Sequence, residues 1–254
     1  MKNKKRQGEI NHNKFGSIMQ IIEYNSSTDI LINFPEYNWM TKTTYGNFKK
    51  GEVKCPYEKR YCGVGYIGEG KYKMSENGKL TKYYRIWYNM LNRCYNNKIH
   101  DKFPTYKDCY VCDEWLNFQI FAEWCDENFY SVNNEIMCLD KDILNKRNKM
   151  YSPNTCVFVP NRINTIFIKS DKKRGNLPIG VTTFKGCDKF RAICHTVDDY
   201  KLVHLGVFCT IEEAFKVYKQ YKETMIKRLA DEYQNYIPNK LYQAMYNYKV
   251  EIDD

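Results

Sequence analysis

No apolar run in these 254 residues approaches the ~20 needed to cross a bilayer. None opens the chain either, because Met1 to Arg6 is basic and polar. A membrane span and a secretory leader are therefore not expected. Paired metal-ligand motifs are also scarce. The eleven cysteines stand singly except at Cys109-Tyr-Val-Cys112, and there is no second Cys-x-x-Cys or histidine pair. Cys94, Cys125 or Cys138 could complete four ligands, but buried thiols are the expectation and zinc is not. An odd cysteine number without a leader suggests reduced thiols in a cytoplasm. Acidic residues are in deficit, 30 against 40 lysines and arginines, giving a net charge of +10. That balance favours a polyanionic partner such as nucleic acid. An AT-rich genome alone would enrich Lys, Asn, Tyr and Ile, so where the charges sit matters more than their total.

Four segments separate along the chain. Residues 15–56 alternate short β-branched or aromatic runs with turn formers: Met19 to Tyr24, Ile30 to Phe34, Thr43-Thr-Tyr45, and Gly51 before Pro56. They predict a small twisted sheet or barrel. Residues 57–82 form a glycine-rich connector. Its Gly63-Val-Gly-Tyr-Ile-Gly-Glu-Gly70 invites comparison with a nucleotide loop, but Lys71 to Gly78 reads as turn or strand rather than the helix that a phosphate cradle requires. In the unit 83–168, Tyr84, Trp87, Leu91 and Cys94 fall at helical spacing, as do Phe118, Phe121, Ala122 and Cys125. Two amphipathic helices sharing an aromatic core follow. Ile136 to Asp140 and Thr155 to Val159 could pair as a hairpin. Residues 169–177 make a charged, solvated linker.

Residues 178–235 are patterned most clearly. Ile179 to Phe184, Lys189 to Thr196 and Lys201 to Phe208 predict an antiparallel meander with turns at Lys185 to Asp188 and Val197 to Asp199. Thr210 and Glu213 form a capping-box signature, and Ile211, Ala214, Phe215, Tyr218, Tyr221, Met225 and Leu229 continue an apolar helical stripe. Alternation puts Phe190, Ala192 and Cys194 under that helix and leaves Lys189, Arg191, Ile193 and His195 on the other face. A twisted sheet presenting such a face can enter the DNA major groove.

The pattern Gly180-Val181, Lys189-Phe-Arg-Ala-Ile193, Leu205-Gly-Val-Phe208, Thr210-Ile-Glu-Glu-Ala214 and Tyr218 resembles the APETALA-type (ethylene-response-factor) DNA-binding domain. The resemblance implies DNA contacts from Thr182, Phe184, Lys189, Arg191, Ile193, His195 and His204, and Lys185 in the first turn is a further DNA-contacting candidate. It implies no sequence preference, because the plant domains carry more arginines and tryptophans on that face. Tyr84 to Cys94, Val111-Cys-Asp-Glu-Trp115 and Tyr151 to Cys156 resemble phage H-N-H homing endonucleases. That resemblance implies a ββα fold around one divalent ion. It sets Asp140 at the metal-binding acid, Lys141 at the general-base histidine and Thr155 near a metal-binding asparagine. Lysine is normally protonated near neutral pH and does not accept water's proton. Asp140 and Asp142 could still bind Mg²⁺, with Asn148, Asn154 or Asn161 supplying an amide oxygen and His100 the unit's lone histidine. Equally, 139–142 could be a turn whose carboxylates bond backbone amides while Lys141 contacts phosphate.

The expectation is an α+β chain of several modules: a front β module at 15–56, the connector, an H-N-H-like unit, the linker, a sheet-plus-helix DNA reader and a tail at 236–254. Its expected function is double-stranded DNA binding of phage or prophage type in the host bacterial cytoplasm, by a degenerate homing-endonuclease relative. An active Mg²⁺-dependent site-specific endonuclease, or a regulator or counter-defence factor that binds a host protein, are the alternatives.

Overall fold

The computed structural model describes residues 6–168, 176–184, 186 and 188–254. Helices and small, mostly antiparallel sheets are mixed in an α+β arrangement. Among the described residues no helix is long and apolar enough to cross a membrane. The chain forms two compact units, Met1–Glu127 with Met150–Ser152, and Asn128–Lys149 with Pro153–Asp254. The stretch 83–168 therefore contributes to both.

The first unit begins with a meander of β1 (Ile10–His12), β2 (Ile18–Ser26), β3 (Asp29–Phe34) and β4 (Trp39–Thr43). Met19, Ile21, Ile30, Ile32 and Phe34 are buried with Phe48 and Cys55. The sheet thus starts before residue 15. The strand expected at Thr43-Thr-Tyr45 is instead the end of β4 and the start of helix α1 (Tyr45–Lys50). Capping decides the matter locally. Thr44 Oγ1 accepts from the Asn47 amide at 3.2 Å, and left-handed Gly51 closes the far end.

The glycine-rich connector is structural. Tyr66 N–H donates to Leu116 O, and the Ile67 and Gly68 amides both donate to Pro56 O, so these amides are not offered to a phosphate. A hairpin, β5 (Ser75–Glu76) and β6 (Lys79–Leu80), follows it rather than a helix. Helix α2 (Lys82–Tyr95) buries Tyr84, Trp87, Met90, Leu91 and Cys94, the expected stripe with Met90 added. After α3 (Asn97–Lys102) and β7 (Tyr110–Val111), helix α4 (Phe118–Asn128) buries Phe118, Phe121, Ala122 and Cys125. The two helices share an aromatic core: the Trp87 and Phe118 rings lie 5.5 Å apart, and Trp87 Nε1 donates to Trp115 O at 2.7 Å.

In the second unit β8 (Met137–Asp140) leads into a loop. After it, β9 (Met150–Tyr151) belongs to the first unit, where it pairs parallel with β7. β10 (Val157–Pro160) pairs antiparallel with β8, and α5 (Asn161–Ile166) follows. Next come β11 (Val181–Phe184), β12 (Lys189–His195) and β13 (Leu202–Phe208), in that order across one antiparallel sheet. Helix α6 (Ile211–Tyr233) opens with the expected capping box between Thr210 and Glu213, and α7 (Asn239–Tyr246) follows it. One continuous core joins Val157 and Val159 of β10 and Ile163 of α5 to Val181, Ala192 and Cys194 of the sheet. Tyr218, Ile226 and Leu229 of α6 complete it, with Leu241 and Met245 of α7 and then Val250. The stretch 236–254, expected as a tail, is part of this core. Most of the expected linker, residues 169–175, lies outside the described residues.

Gly180 passes directly against Tyr218. Its φ is +78°, and a β-carbon there would lie 2.0 Å from Tyr218 Cδ2. Gly186 also has positive φ, +89°, but open space around it. Gly180→Ala is expected to destabilise the protein by on the order of 3 kcal/mol, combining left-handed strain with overpacking. Gly186→Ala should cost about 1–2 kcal/mol, from the backbone alone. Urea unfolding of both variants measures the difference.

Candidate nucleic-acid interface

The three-stranded sheet has two unlike faces. In β12, Ala192 and Cys194 are buried under α6, while Lys189 and His195 are exposed and Arg191 and Ile193 half-buried. In β11, Val181 is buried opposite Ala192, so Thr182, paired with Arg191, points the other way. Strand β13 does not keep simple alternation. Its register slips where Ala192 pairs with Gly206 but Ile193 pairs with His204, leaving Leu205 as an extra residue. Gly206 sits at φ +141°, in the left-handed half of the map that glycine enters freely. The bulge turns both Leu205 and Phe208 toward the core and leaves Leu202, His204 and Val207 outward.

The outer face therefore presents three cross-strand rows: Thr182, Arg191 and Val207; Ile193 and His204; His195 and Leu202. Lys189 lies beyond the first row, paired through its backbone with Phe184. No outward position named here carries a carboxylate. The acids of the β12–β13 turn are neutralised where they stand. Asp199 meets Lys201 and accepts from Thr196 Oγ1, both at 2.5 Å. Asp198 is held by Arg162 and by Arg228, the latter at 2.9 Å, and these guanidinium partners keep its carboxyl below the usual range.

Of the eight residues expected to contact DNA, Thr182, Lys189, Arg191, Ile193, His195 and His204 share this face, and the side chain of Phe184 is not among those described. Lys185 lies outside the described residues. Val207 and Leu202 belong to the face as well. Strict alternation from Phe208 would have sent Val207 and Leu205 to one side, and the one sequence signal against it is a glycine inside a strand.

The second candidate region, Asp140 to Asp142, is a locked turn. Asp140 Oδ1 accepts the backbone amides of Asp142 at 2.8 Å and Ile143 at 2.7 Å. Lys141 is buried, and its ammonium donates to both Asp142 oxygens, at 2.7 and 2.8 Å, and to Asn148 O at 2.7 Å. Asn148 Nδ2 returns a bond to Lys141 O. A lysine so paired is an ammonium, not a base, and it is turned inward rather than toward a phosphate. Lys146 then ties the turn to the end of the core, donating to Lys249 O and Asp254 Oδ2. Asn161 Oδ1 accepts from Cys138 Sγ. These bonds make residues 140–143 a folded turn.

In the first unit, His100 Nε2 meets Arg93 O at 2.9 Å. Cys109 and Cys94 are buried, and burial pushes the Cys112 thiol above its usual range. Among the described residues no three His, Cys, Asp or Glu side chains gather as metal ligands. Compared with family models, with curated proteins and with solved structures, the chain matches none.

Burial, the largest influence on Asp140, raises its carboxyl above the usual range, with the two amide bonds opposing. The folded state therefore holds this proton more tightly than the unfolded state. Its contribution to stability falls as pH rises from the ordinary carboxylate range through the raised value. Asp140→Asn keeps the acceptor without the charge. Its melting temperature should gain on the natural protein's as pH rises from about 4, whereas a gap that shrinks would contradict the burial argument. Asp140→Ala removes the acceptor and should cost about 1–2 kcal/mol.

Proposed function

We propose that this chain is a double-stranded DNA-binding protein of phage or prophage type, with the outer face of the β11–β13 sheet as its reading surface. The observation that carries the proposal is the face itself: Lys189, Arg191, His195 and His204 point away from the α6-packed core with no carboxylate among them. The excess of ten positive charges supplies long-range attraction to a phosphate backbone. Lys189 at the edge suits a phosphate. Arg191 is half-buried between Thr182 and Val207 in the cross-strand register, and a guanidinium is the side chain suited to a guanine edge. The turn at Asp140 supports binding rather than cutting, because its lysine is committed to Asp142 and Asn148.

The purified chain, incubated with fragmented phage and host DNA first in Mg²⁺ and then in chelator, should retain duplex in both and cut it in neither. Cutting that needs Mg²⁺ would make it a nuclease instead. Lys189→Ala should reduce the slope of log affinity against log salt by about 0.9, one phosphate contact. Arg191→Ala should relax preference at one base pair. If both variants bind as the natural protein does, this face is not the interface.

A further inference from the structure

The outer face is not simply basic. Each of its three rows sets an apolar side chain beside a donor: Val207 beside Arg191, Ile193 beside His204, Leu202 beside His195. Val207 and Leu202 are each 43% exposed. The Gly206 bulge is what sets Val207 on the same face as His204 and Leu202. A face meeting only phosphates gains nothing from three outward aliphatic groups. In the major groove, thymine presents a 5-methyl group beside its O4 acceptor, whereas a G·C pair offers acceptors and an amine with no methyl. An apolar group next to a donor is the complement of the thymine edge. Outward residues along one strand stand about 6.8 Å apart, close to two base-pair rises of about 3.4 Å. Successive rows can therefore address every second base pair.

We infer that this sheet face recognises thymine 5-methyl groups in the major groove of A·T-rich double-stranded DNA. The inference rests on the DNA-binding reading above. Positive charge without carboxylates selects the polyanion, and the interleaved Ile193, Leu202 and Val207 select the base.

The full chain is titrated against three fluorescent duplexes of equal length: one rich in A·T pairs, the same sequence with every dT replaced by dU, and one rich in G·C pairs. Deoxyuridine keeps pairing, charge and O4 and lacks only the methyl. The thymine duplex should bind most tightly, with about a fourfold loss in the dU duplex for each methyl group that had been buried. Val207→Ser, on an exposed side chain, should shrink the thymine-to-uracil ratio while leaving the salt slope unchanged. Tight binding with equal affinity for the thymine and uracil duplexes overturns the inference and leaves DNA binding standing. Failure to bind any duplex overturns both. So does a dimer of the free chain that Val207→Ser dissolves, since a second copy would then occupy the face.

Discussion

The second unit depends on how closely one helix lies on one sheet. Helix α6 covers the sheet with little space between them, and the residues at that seam are small where they must be. Ala192 and Ala214 are fully buried, and Gly180 admits the ring of Tyr218. Because α6 takes one face completely, every outward side chain of the three strands is left for something else. The two faces themselves are fixed by strand geometry, which sends successive side chains to opposite sides whatever packs on either.

Much of this was legible in the sequence, for reasons that can be traced. The stripe from Ala214 to Leu229 keeps a helical period, and Thr210 with Glu213 marks its start. β12 keeps strict alternation, so its two faces could be assigned one residue at a time. The hairpin of β8 and β10 was legible because each strand is a short apolar run with a clear stop. What escaped notice depended on contacts between distant residues. Val207 faces outward because a single extra residue at Leu205 reverses the phase of β13, and alternation read locally does not register an insertion. Lys141 lies in a polar loop and reads as solvated. Its burial follows from Asn148 folding back over it, which no spacing announces. Helix α1 was hidden by the β-propensity of Thr43 and Tyr45, while the caps that override it are Thr44 between those two and Gly51 six residues beyond Tyr45.

The module boundaries drawn from composition also met a physical limit. Charge and glycine content mark where chain is solvated, not where cores end. The hairpin region, the sheet and the last helix bury their apolar groups in one cluster, although a charged stretch runs between the first two. Tethering cannot be the relation between the hairpin and the sheet within this unit. Their orientation is set by packing, so the Asp140 turn and the sheet move together.

That shared core has a consequence for how the unit comes into being. It gathers Val132 near one end of the unit and Val250 near the other, so its decisive contacts span almost the whole length of the segment. Contacts so far apart in the chain close late and slowly. As the chain leaves the ribosome, the part of this core made by the hairpin and the sheet must wait for α6 and α7 to emerge before it closes. Whatever protects nascent chains in its cell has that interval to bridge.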